Sequence, residues 1–174
     1  MSRPLVVVVG PPGVGKTTVA RALAERLGRA VHDSDDIVER HAGRTVPEIF
    51  LDDGEAAFRA LEEAAVREAL ATDGTVVSLG GGAPMTETLR DELTDHDVLF
   101  LDVGIADAAR RIGLDRPRPL LAVNPRASWV RTMAERRPTY EALARWRVDT
   151  AGRDVDAVVD EVLTLLGDAG TDRG

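Results

Sequence analysis

Residues 10–17 carry the strongest chemical signal in the chain and read GPPGVGKT. This stretch fits the pattern G-x-x-x-x-G-K-[ST] in full and follows a short apolar run at residues 5–9. Glycines at this spacing let backbone N–H groups point at phosphate oxygens, and the start of a helix adds partial positive charge. The pattern predicts that Lys16 reaches the β- and γ-phosphates and that the hydroxyl of Thr17 binds Mg²⁺. We expect nucleotide contacts from Gly13, Val14, Gly15, Lys16, Thr17 and Thr18.

The basic residues are distributed unevenly between the two types. Of the 22 basic residues, 21 are arginine, and the only lysine is Lys16. A lysine ammonium is a compact point charge with rotatable donors, which a planar guanidinium cannot imitate. Its position in the glycine-rich loop therefore indicates a functional reason for this one lysine.

A phosphate loop also needs a carboxylate near Mg²⁺, and two places in the sequence could supply it. Asp102 closes the apolar run 98–101, whereas Asp33 and Asp35 follow a weaker run at residues 30–32. Asp36 can alternatively cap a helix, since Asp36 and Glu39 have capping-box spacing. That alternative leaves Asp33 and Asp35 without a role, so we favour them over Asp102 as functional carboxylates.

Several weaker features also fall at places where a ligand could bind. Gly80, Gly81 and Gly82 come directly after an apolar run, at the edge where open α/β sheets bind small molecules. Residues 113–126 contain three prolines and three arginines without periodicity, and we interpret them as a lid. Taken alone, each could be structural: the glycines could form a bare turn, the lid segment could be an unstructured insertion, and the arginines could be surface residues. The arginines concerned are Arg59, Arg118 and Arg136.

Apolar runs alternate with helical patterns along the chain, which predicts a parallel α/β sheet. The predicted strands are residues 5–9, 30–32, 75–79, 98–101 and 147–149. The predicted helices are residues 17–27, 36–41, 55–70, 86–93, 106–112, 127–137 and 155–166. No internal repeat or linker divides the chain, so we expect one domain over residues 1–174, with a frayed tail from residue 167.

Composition excludes several classes of function. The chain has 174 residues, a net charge of −8, no cysteine and six aromatic residues. Without cysteine it can form neither a disulfide framework nor a thiolate zinc site. An acidic, aromatic-poor chain lacks the basic stripe and stacking platforms of a nucleic-acid binder. We expect a cytoplasmic monomer with neither a nucleic-acid nor a membrane partner.

Taken together, the motifs resemble those of the shikimate kinase family, and the resemblance runs over residues 5–159. After GPPGVGKT, the motifs in order are DSD at 33–35, GRTVPEIF at 43–50, GEAAFRALE at 54–62, SLGGGA at 78–83, RPLL at 118–121 and RRPTY at 136–140. Many nucleotide kinases share the phosphate loop, but the combination of DSD, the F-R pair and the three glycines is specific to this family.

The resemblance implies a P-loop NTPase-type three-layer sandwich with a five-stranded parallel sheet, a mobile lid at about 113–126 and a substrate-binding segment at about 33–61. It implies transfer of phosphate from ATP to the 3-hydroxyl of shikimate, with Mg²⁺ as cofactor. The residue roles that it implies are catalysis by Lys16, Asp35 and Arg118; substrate binding by Asp35, Arg59, Gly80, Gly81, Gly82 and Arg136; metal binding by Thr17 and Asp33; and nucleotide contacts from Arg110, Arg118 and Arg153. Some relatives place a proline against adenine, whereas this chain has Val155, which leaves its nucleotide preference open.

Two other functions are compatible with the phosphate loop. Another small-molecule kinase of similar architecture, such as a gluconate kinase, would not need an arginine pair around three glycines. A nucleotide-driven switch would usually carry a guanine-reading motif such as N-K-x-D, and the only lysine here is already in the phosphate loop.

Overall fold

The computed structural model describes residues 3–113 and 124–171. Within them, five strands form one sheet in which all pairings are parallel, in the order β2-β3-β1-β4-β5. The strands are β1 (Val6–Val9), β2 (Val31–Asp33), β3 (Val76–Ser78), β4 (Val98–Asp102) and β5 (Trp146–Asp149). All five predicted strands are therefore confirmed, and no strand end differs from its predicted position by more than one residue.

Helices cover both faces of this sheet. They are α1 (Lys16–Leu27), α2 (Ser34–Ala42), α3 (Val46–Asp53), α4 (Glu55–Leu70), α5 (Glu87–Leu93), α6 (Ile105–Ile112), α7 (Pro125–Leu143) and α8 (Val155–Thr171). A short 3-10 helix, Ala83–Met85, precedes α5. None of the helices in the described part of the chain is long and apolar enough to cross a membrane.

Successive side chains of β1 point to opposite faces of the sheet and enter two separate cores. Val7 and Val9 belong to a core that α2, α4, α5 and α7 cover. Val6 and Val8 belong to a second core, which α1, α6 and α8 cover. A strand that is buried on both faces has no room for polar residues, which explains the uninterrupted valines of β1. The three-layer α/β sandwich predicted from the sequence is confirmed.

Helix α3 is absent from the sequence prediction, although its start carries a local signal. Thr45 Oγ1 accepts a hydrogen bond from Glu48 N at 3.3 Å, and Glu48 Oε2 accepts from Thr45 N at 2.7 Å. This reciprocal pair is a capping box, and Pro47 lies in the first helical turn, where its missing N–H costs nothing.

Helices α7 and α8 are longer than predicted. The sequence predicted that the 127–137 helix would end before Pro138, but α7 continues to Leu143. Beyond Pro138, the fully buried Tyr140 packs in the core against Phe100, with ring centroids 5.2 Å apart, and this packing offsets the lost backbone hydrogen bond. Residues 167–171, predicted to fray, belong to α8.

Strand order brings the sequence motifs to one edge of the sheet. The phosphate loop (residues 10–17) follows β1, the DSD motif begins at the end of β2, and the three glycines follow β3. In the sheet, β3 lies between β2 and β1, and Ser78 is in register with both Asp33 and Val8. Because carboxyl ends of parallel strands share an edge, the three motifs lie side by side.

Candidate active site

The phosphate loop connects β1 to α1 through glycines in unusual backbone conformations. Gly13 and Gly15 have φ angles of 82° and 85°, a backbone conformation that residues with a Cβ rarely adopt. Gly15 is also the N-cap of α1, and no side chain caps that helix. The N–H groups at the start of α1 therefore have no side-chain acceptor and are available to an anion.

Lys16 bends back over this loop. Its Nζ donates a hydrogen bond to the carbonyl oxygen of Pro11 at 3.1 Å. Burial lowers the pKa of Lys16 to about 8, against the opposing effect of the Asp35 and Asp33 carboxylates. An ammonium that has little water around it gains more from an incoming phosphate than an exposed one would.

The two carboxylate oxygens of Asp33 make different contacts. Oδ1 accepts hydrogen bonds from the backbone N–H groups of Asp35 and Asp36 at 2.9 and 3.3 Å, so Asp33 is the N-cap of α2. Oδ2 accepts from the hydroxyl of Thr17 at 2.8 Å. The helix therefore begins at Ser34, and the alternative considered above, a cap at Asp36, is wrong. One residue both caps α2 and holds Thr17.

Asp102, the other candidate carboxylate, is engaged by two guanidinium groups. Arg137 Nη1 and Nη2 donate to it at 2.8 and 3.0 Å, and Arg147 Nη2 donates at 2.5 Å. Although burial opposes the effect, these hydrogen bonds hold the pKa of Asp102 below its ordinary value. Its oxygens are occupied by structural partners, which supports the preference for Asp33 near the metal.

A pocket of about 480 Å³ lies beyond the three glycines, and we call it the acceptor pocket. Its lining residues are Glu55, Arg59, Gly82, Met85, Thr86, Glu135 and Arg136. Arg59 comes from α4 and Arg136 from α7, so two helices that are far apart in sequence bring two guanidinium groups to one cavity. Paired guanidinium groups suit a carboxylate ligand, which they can bind through two parallel hydrogen bonds.

Close packing explains why glycines occupy positions 80–82. A Cβ on Gly82 would lie 2.5 Å from Nη2 of Arg59, and a Cβ on Gly81 would lie 3.0 Å from Nη1 of Arg136. The contact at Gly82 is closer than a Cβ tolerates, and the contact at Gly81 is tighter than most, so a side chain at either position would push the guanidinium group aside. The glycines thus let both guanidinium groups lie directly against the backbone.

Asp35 lies at the opposite end of the same glycines. A Cβ on Gly80 would be 3.0 Å from Oδ1 of Asp35 and 3.1 Å from Oε2 of Glu62. Burial, reinforced by Asp33, raises the pKa of Asp35, and Lys16 opposes the increase. A carboxylate whose pKa is raised toward neutrality is a better proton acceptor than an ordinary aspartate.

Glu62 also belongs to this site, although no role was predicted for it from its place in the motif at residues 54–62. Its side chain is only 1% exposed, and it accepts a hydrogen bond from Nη1 of Arg59 at 2.6 Å. Burial raises the pKa of Glu62, whereas the hydrogen bond from Arg59 lowers it. The spacing of three residues on the confirmed helix α4 was a signal that could have found this pair.

Two other residues without an assigned role hold the glycine backbone. The N–H of Gly80 donates to the hydroxyl of Ser34 at 2.9 Å, and the buried hydroxyl of Tyr140 donates to the carbonyl oxygen of Gly81 at 2.5 Å. Ser34 comes from the DSD motif and Tyr140 from RRPTY, so both motifs also fix the position of the glycines.

Two adjoining pockets lie on the other side of the phosphate loop. One, of about 410 Å³, is lined by Gly13, Gly15, Lys16, Thr17, Thr18 and Arg111. The second, of about 320 Å³, is lined by Val14, Gly15, Thr18, Val19, Arg111, Thr150, Arg153, Asp154, Val155 and Val158. We call them the phosphate-side and base-side pockets. All the predicted loop residues, together with Arg153 and Val155, line one or both of them.

Arg110 does not line either pocket, whereas its neighbour Arg111 lines both. The Arg110 side chain is 71% exposed and forms an ion pair with Asp107, which accepts a hydrogen bond from Gly152 N. Arg110 therefore lies near the loop that carries Arg153, and its contact with a nucleotide stays a prediction. Arg118 and most of the predicted lid, residues 114–123, lie outside the described residues.

The chain is similar to known proteins over nearly its whole length. It matches the profile described as shikimate kinase over residues 12–167. The shikimate kinase of Thermobifida fusca is 51% identical over 169 residues, which are 97% of this chain and 98% of that protein. The solved structure of shikimate kinase from Acinetobacter baumannii in complex with shikimate has a TM-score of 0.88 at 33% identity, and the match covers 97% of this chain and 95% of that one.

The gluconate kinase alternative has weaker support. A gluconokinase from Sinorhizobium meliloti has a TM-score of 0.63 at 23% identity, and the match covers 96% of this chain and 93% of that one. This likeness extends to the fold alone. The profile match and the half-identical relative, in contrast, agree with the motifs that surround the acceptor pocket, and so the chain belongs to the shikimate kinase family.

Proposed function

We propose that this chain transfers the γ-phosphoryl group of ATP to the 3-hydroxyl of shikimate, giving shikimate 3-phosphate and ADP. The observation that carries the proposal is the pair of guanidinium groups, Arg59 and Arg136, packed against glycines beside the phosphate loop. Shikimate has a carboxylate and ring hydroxyls. This site offers a pair of guanidinium groups for the carboxylate and carboxylate oxygens that accept hydrogen bonds from the hydroxyls.

The nucleotide would bind with its phosphates in the phosphate-side pocket and its base in the base-side pocket. Backbone N–H groups from residues 13–17 and the ammonium of Lys16 would neutralise charge that spreads over the phosphate oxygens during transfer. For this contact, Lys16 exchanges its hydrogen bond to Pro11 for one to a phosphate. Such transfer needs positioning and charge neutralisation more than covalent chemistry from the protein.

Asp35 would bind the acceptor hydroxyl. Its carboxylate lies against Gly80 and interacts electrostatically with the ammonium of Lys16, so it would lie where the two substrates meet. Its raised pKa allows it to accept the hydroxyl proton as the oxygen attacks phosphorus. Arg59 and Arg136 would hold the carboxylate at the far side of the ring, so that the 3-hydroxyl faces the phosphate.

Residues of this site fit Mg²⁺. Thr17 and Asp33 place two oxygen donors 2.8 Å apart next to the phosphate loop. Magnesium prefers oxygen ligands and in kinases is commonly held by one or two protein groups with water and phosphate oxygens. Among the residues that the structure describes, no group of three or more acidic or histidine side chains is placed so that it could hold a metal ion, and such a mode of binding does not need one. When bound, the ion would neutralise phosphate charge and orient the γ-phosphate.

The other expectations continue as proposals about the same enzyme. Arg118 would add positive charge at the phosphates from the lid, and residues 33–61 would form the substrate-binding segment of a single domain. The enzyme would act as a cytoplasmic monomer without a nucleic-acid or membrane partner. Light scattering of the purified protein tests the monomer directly.

ADP release from Mg-ATP tests the reaction. We expect strong stimulation by shikimate and little by gluconate, whose hydroxyls lie on an open chain, because the pocket combines a carboxylate fork with ring-hydroxyl acceptors; quinate, which has both features, serves as the closer control. Stimulation by gluconate alone would keep the kinase and contradict the acceptor assignment. ADP release that no acceptor stimulates would favour a nucleotide-driven switch.

A further inference from the structure

The indole of Trp129 connects helix α7 to the phosphate loop. Its Nε1 donates a hydrogen bond to the carbonyl oxygen of Pro12 at 3.0 Å. The partly buried ring also packs against both hydrophobic cores, so it lies at the edge of the sheet where the two faces meet. Neither the sequence motifs nor the proposed reaction gives this contact a role.

The same face of α7 reaches the acceptor pocket. Arg136 follows Trp129 by seven residues, which is almost two helical turns and a rise of about 10 Å. The buried Met133 lies between them on this face, and all three precede Pro138 within the helix. One unbroken stretch of helix therefore presents Trp129 to the phosphate loop and Arg136 to the acceptor pocket.

We propose that Trp129 is a positioning residue that couples the two substrate sites, so that the nucleotide and the acceptor each bind more tightly when the other is bound. The inference rests on the proposed function, which supplies the two ligands. Gly13 and Gly15 allow the free phosphate loop several backbone conformations, and bound phosphates select one of them. The carbonyl of Pro12 is then fixed, and it fixes the indole and the N-terminal half of α7. Coupling of this kind is reciprocal.

Arg136 is sensitive to the position of this half of α7. Side chains of a helix lean toward its N-terminus, so the guanidinium of Arg136 lies over the turn on the Trp129 side of its own Cα. Its Nη1 is already close to Gly81, since a Cβ there would be 3.0 Å away. A displacement of a few tenths of an ångström would bend or lengthen its hydrogen bonds to a substrate carboxylate, and such bonds weaken steeply away from ideal geometry.

Other contacts hold the second half of α7 whether or not a nucleotide is bound. Arg137 is paired with the carboxylate at the end of β4, and Tyr140 donates to the carbonyl oxygen of Gly81. The first turns are less covered, as the 47% exposure of Val130 shows. Trp129 is therefore placed where α7 can still respond to the phosphate loop.

A second route between the two sites must be separated from this one. A Cβ on Gly81 would be 3.3 Å from Cδ of Pro12, so the acceptor-site backbone also touches the phosphate loop directly. Trp129→Phe distinguishes the two routes, because it removes the indole N–H and keeps an aromatic ring against both cores. The variant should fold, since water can replace this partly exposed hydrogen bond.

The test measures the Kd of shikimate by calorimetry, without nucleotide and with saturating Mg-ADP, and the Kd of ADP with and without shikimate. Trp146→Phe is the matched control, since Trp146 is the only other tryptophan and lies in β5. It lines neither the acceptor pocket nor the two nucleotide pockets. This control also leaves Trp129 as the sole tryptophan, so that the emission of the variant reports on this indole. Thermal melting confirms that each variant folds.

In the wild type and in Trp146→Phe, we expect ADP to lower the Kd of shikimate by about five- to tenfold, and shikimate to lower the Kd of ADP by the same factor. One neutral hydrogen bond can carry an effect of this size. Trp129→Phe should bring both factors to within about twofold of one, while each Kd measured alone changes little. Shikimate should also alter the emission of Trp129 in the Trp146→Phe variant, although Trp129 does not line the acceptor pocket.

Coupling that persists in Trp129→Phe would assign the route to Gly81 and overturn the proposal. Equal loss of coupling in Trp146→Phe would overturn it as well, because the effect would then be a general loosening of the fold. So would independent binding of the two ligands, or an emission of Trp129 that shikimate leaves unchanged, in an enzyme that shikimate stimulates. A wild-type enzyme that binds no shikimate would instead contradict the proposed function itself, together with this inference.

Discussion

Replacing Gly82 by alanine tests the acceptor pocket by moving one guanidinium group without removing it. The backbone at Gly82 has φ −90° and ψ −11°, a conformation that alanine adopts without strain. The added methyl would lie 2.5 Å from Nη2 and 2.6 Å from Nη1 of Arg59. Ordinary contacts lie at 3.4–4 Å, so the guanidinium must move by about 1 Å.

The magnitude follows from hydrogen-bond geometry. A hydrogen bond from Arg59 to a substrate carboxylate is about 2.8 Å long. If the guanidinium moves by about 1 Å, the distance becomes about 3.8 Å, which is too long for a hydrogen bond. Loss of a hydrogen bond to a charged group costs about 1.5–3 kcal/mol, which corresponds to an increase of about 10- to 150-fold in the KM of shikimate. Stability should fall by about 1–3 kcal/mol at most, because the shift also strains the 2.6 Å hydrogen bond from Nη1 of Arg59 to the buried Glu62.

Steady-state kinetics with both substrates is the assay. We expect the KM of shikimate to rise while the KM of ATP stays within about twofold, since no atom of the phosphate-side pocket moves. Gly104→Ala is the matched control, because its Cβ would meet no atom within 4 Å. It should leave both KM values unchanged.

A double-mutant cycle identifies the route of the effect. In an Arg59→Ala background, the methyl at position 82 has no guanidinium to displace, so Gly82→Ala should add almost nothing. An unchanged KM of shikimate in the single variant would refute the placement of Arg59 in the acceptor site. A full effect in the Arg59→Ala background would mean that the methyl blocks the substrate directly.

Three further predictions concern Lys16, Asp102 and Tyr140. Because its pKa is lowered to about 8, Lys16 loses its charge as the pH rises through that value, so kcat/KM for ATP should fall above pH 8. The Lys16→Ala variant should fold and lose at least ~10²-fold in kcat. Asp102→Asn should lower the free energy of unfolding at pH 7 by about 1–3 kcal/mol, allowing for partly exposed arginine partners. Since the pKa of Asp102 is below its ordinary 3.8, that difference should shrink in urea denaturation as the pH falls below about 4. Tyr140→Phe removes the hydroxyl that donates a 2.5 Å hydrogen bond to the carbonyl oxygen of Gly81. It should raise the KM of shikimate, measured by steady-state kinetics, and lower the free energy of unfolding by about 1–3 kcal/mol, measured by thermal melting.

The strands and the main motifs could be predicted because they depend on local sequence. Valines in succession indicate a strand buried on both faces, and the glycine-rich pattern fixes the turn that follows it. Helix α4 was predicted with its observed bounds, Glu55–Leu70, because its apolar periodicity is regular. Helix α3 was missed, even though Thr45 and Glu48 have capping-box spacing, because its eight residues are too few for a clear periodic pattern.

The rest of the site depends on which way a helix faces, and sequence does not encode that locally. Arg110 and Arg111 are neighbours on α6, and successive residues of a helix point about 100° apart. Only the packing of α6 against the sheet determines that Arg111 reaches the phosphate loop and that Arg110 reaches Asp107. Similarly, the burial of Glu62 arises from contacts of α4 with the glycines rather than from its own neighbours in sequence.

Carboxylates outnumber guanidinium groups around the acceptor pocket before a substrate enters. Arg59 and Arg136 share its lining with Glu55 and Glu135, and Asp35 and Glu62, whose pKa values are both raised by burial, lie against Gly80. Arg59 already bonds to Glu62, so a substrate carboxylate must share that guanidinium rather than find it free. A further negative charge in this small space favours protonation of the buried carboxylates, and of Asp35 and Glu62 it is Asp35 that lacks a direct arginine partner among the contacts seen at this site. In the proposed reaction, the carboxylate end of the substrate would therefore act on the residue that accepts the hydroxyl proton, which would couple acceptor binding to the chemistry at the phosphate.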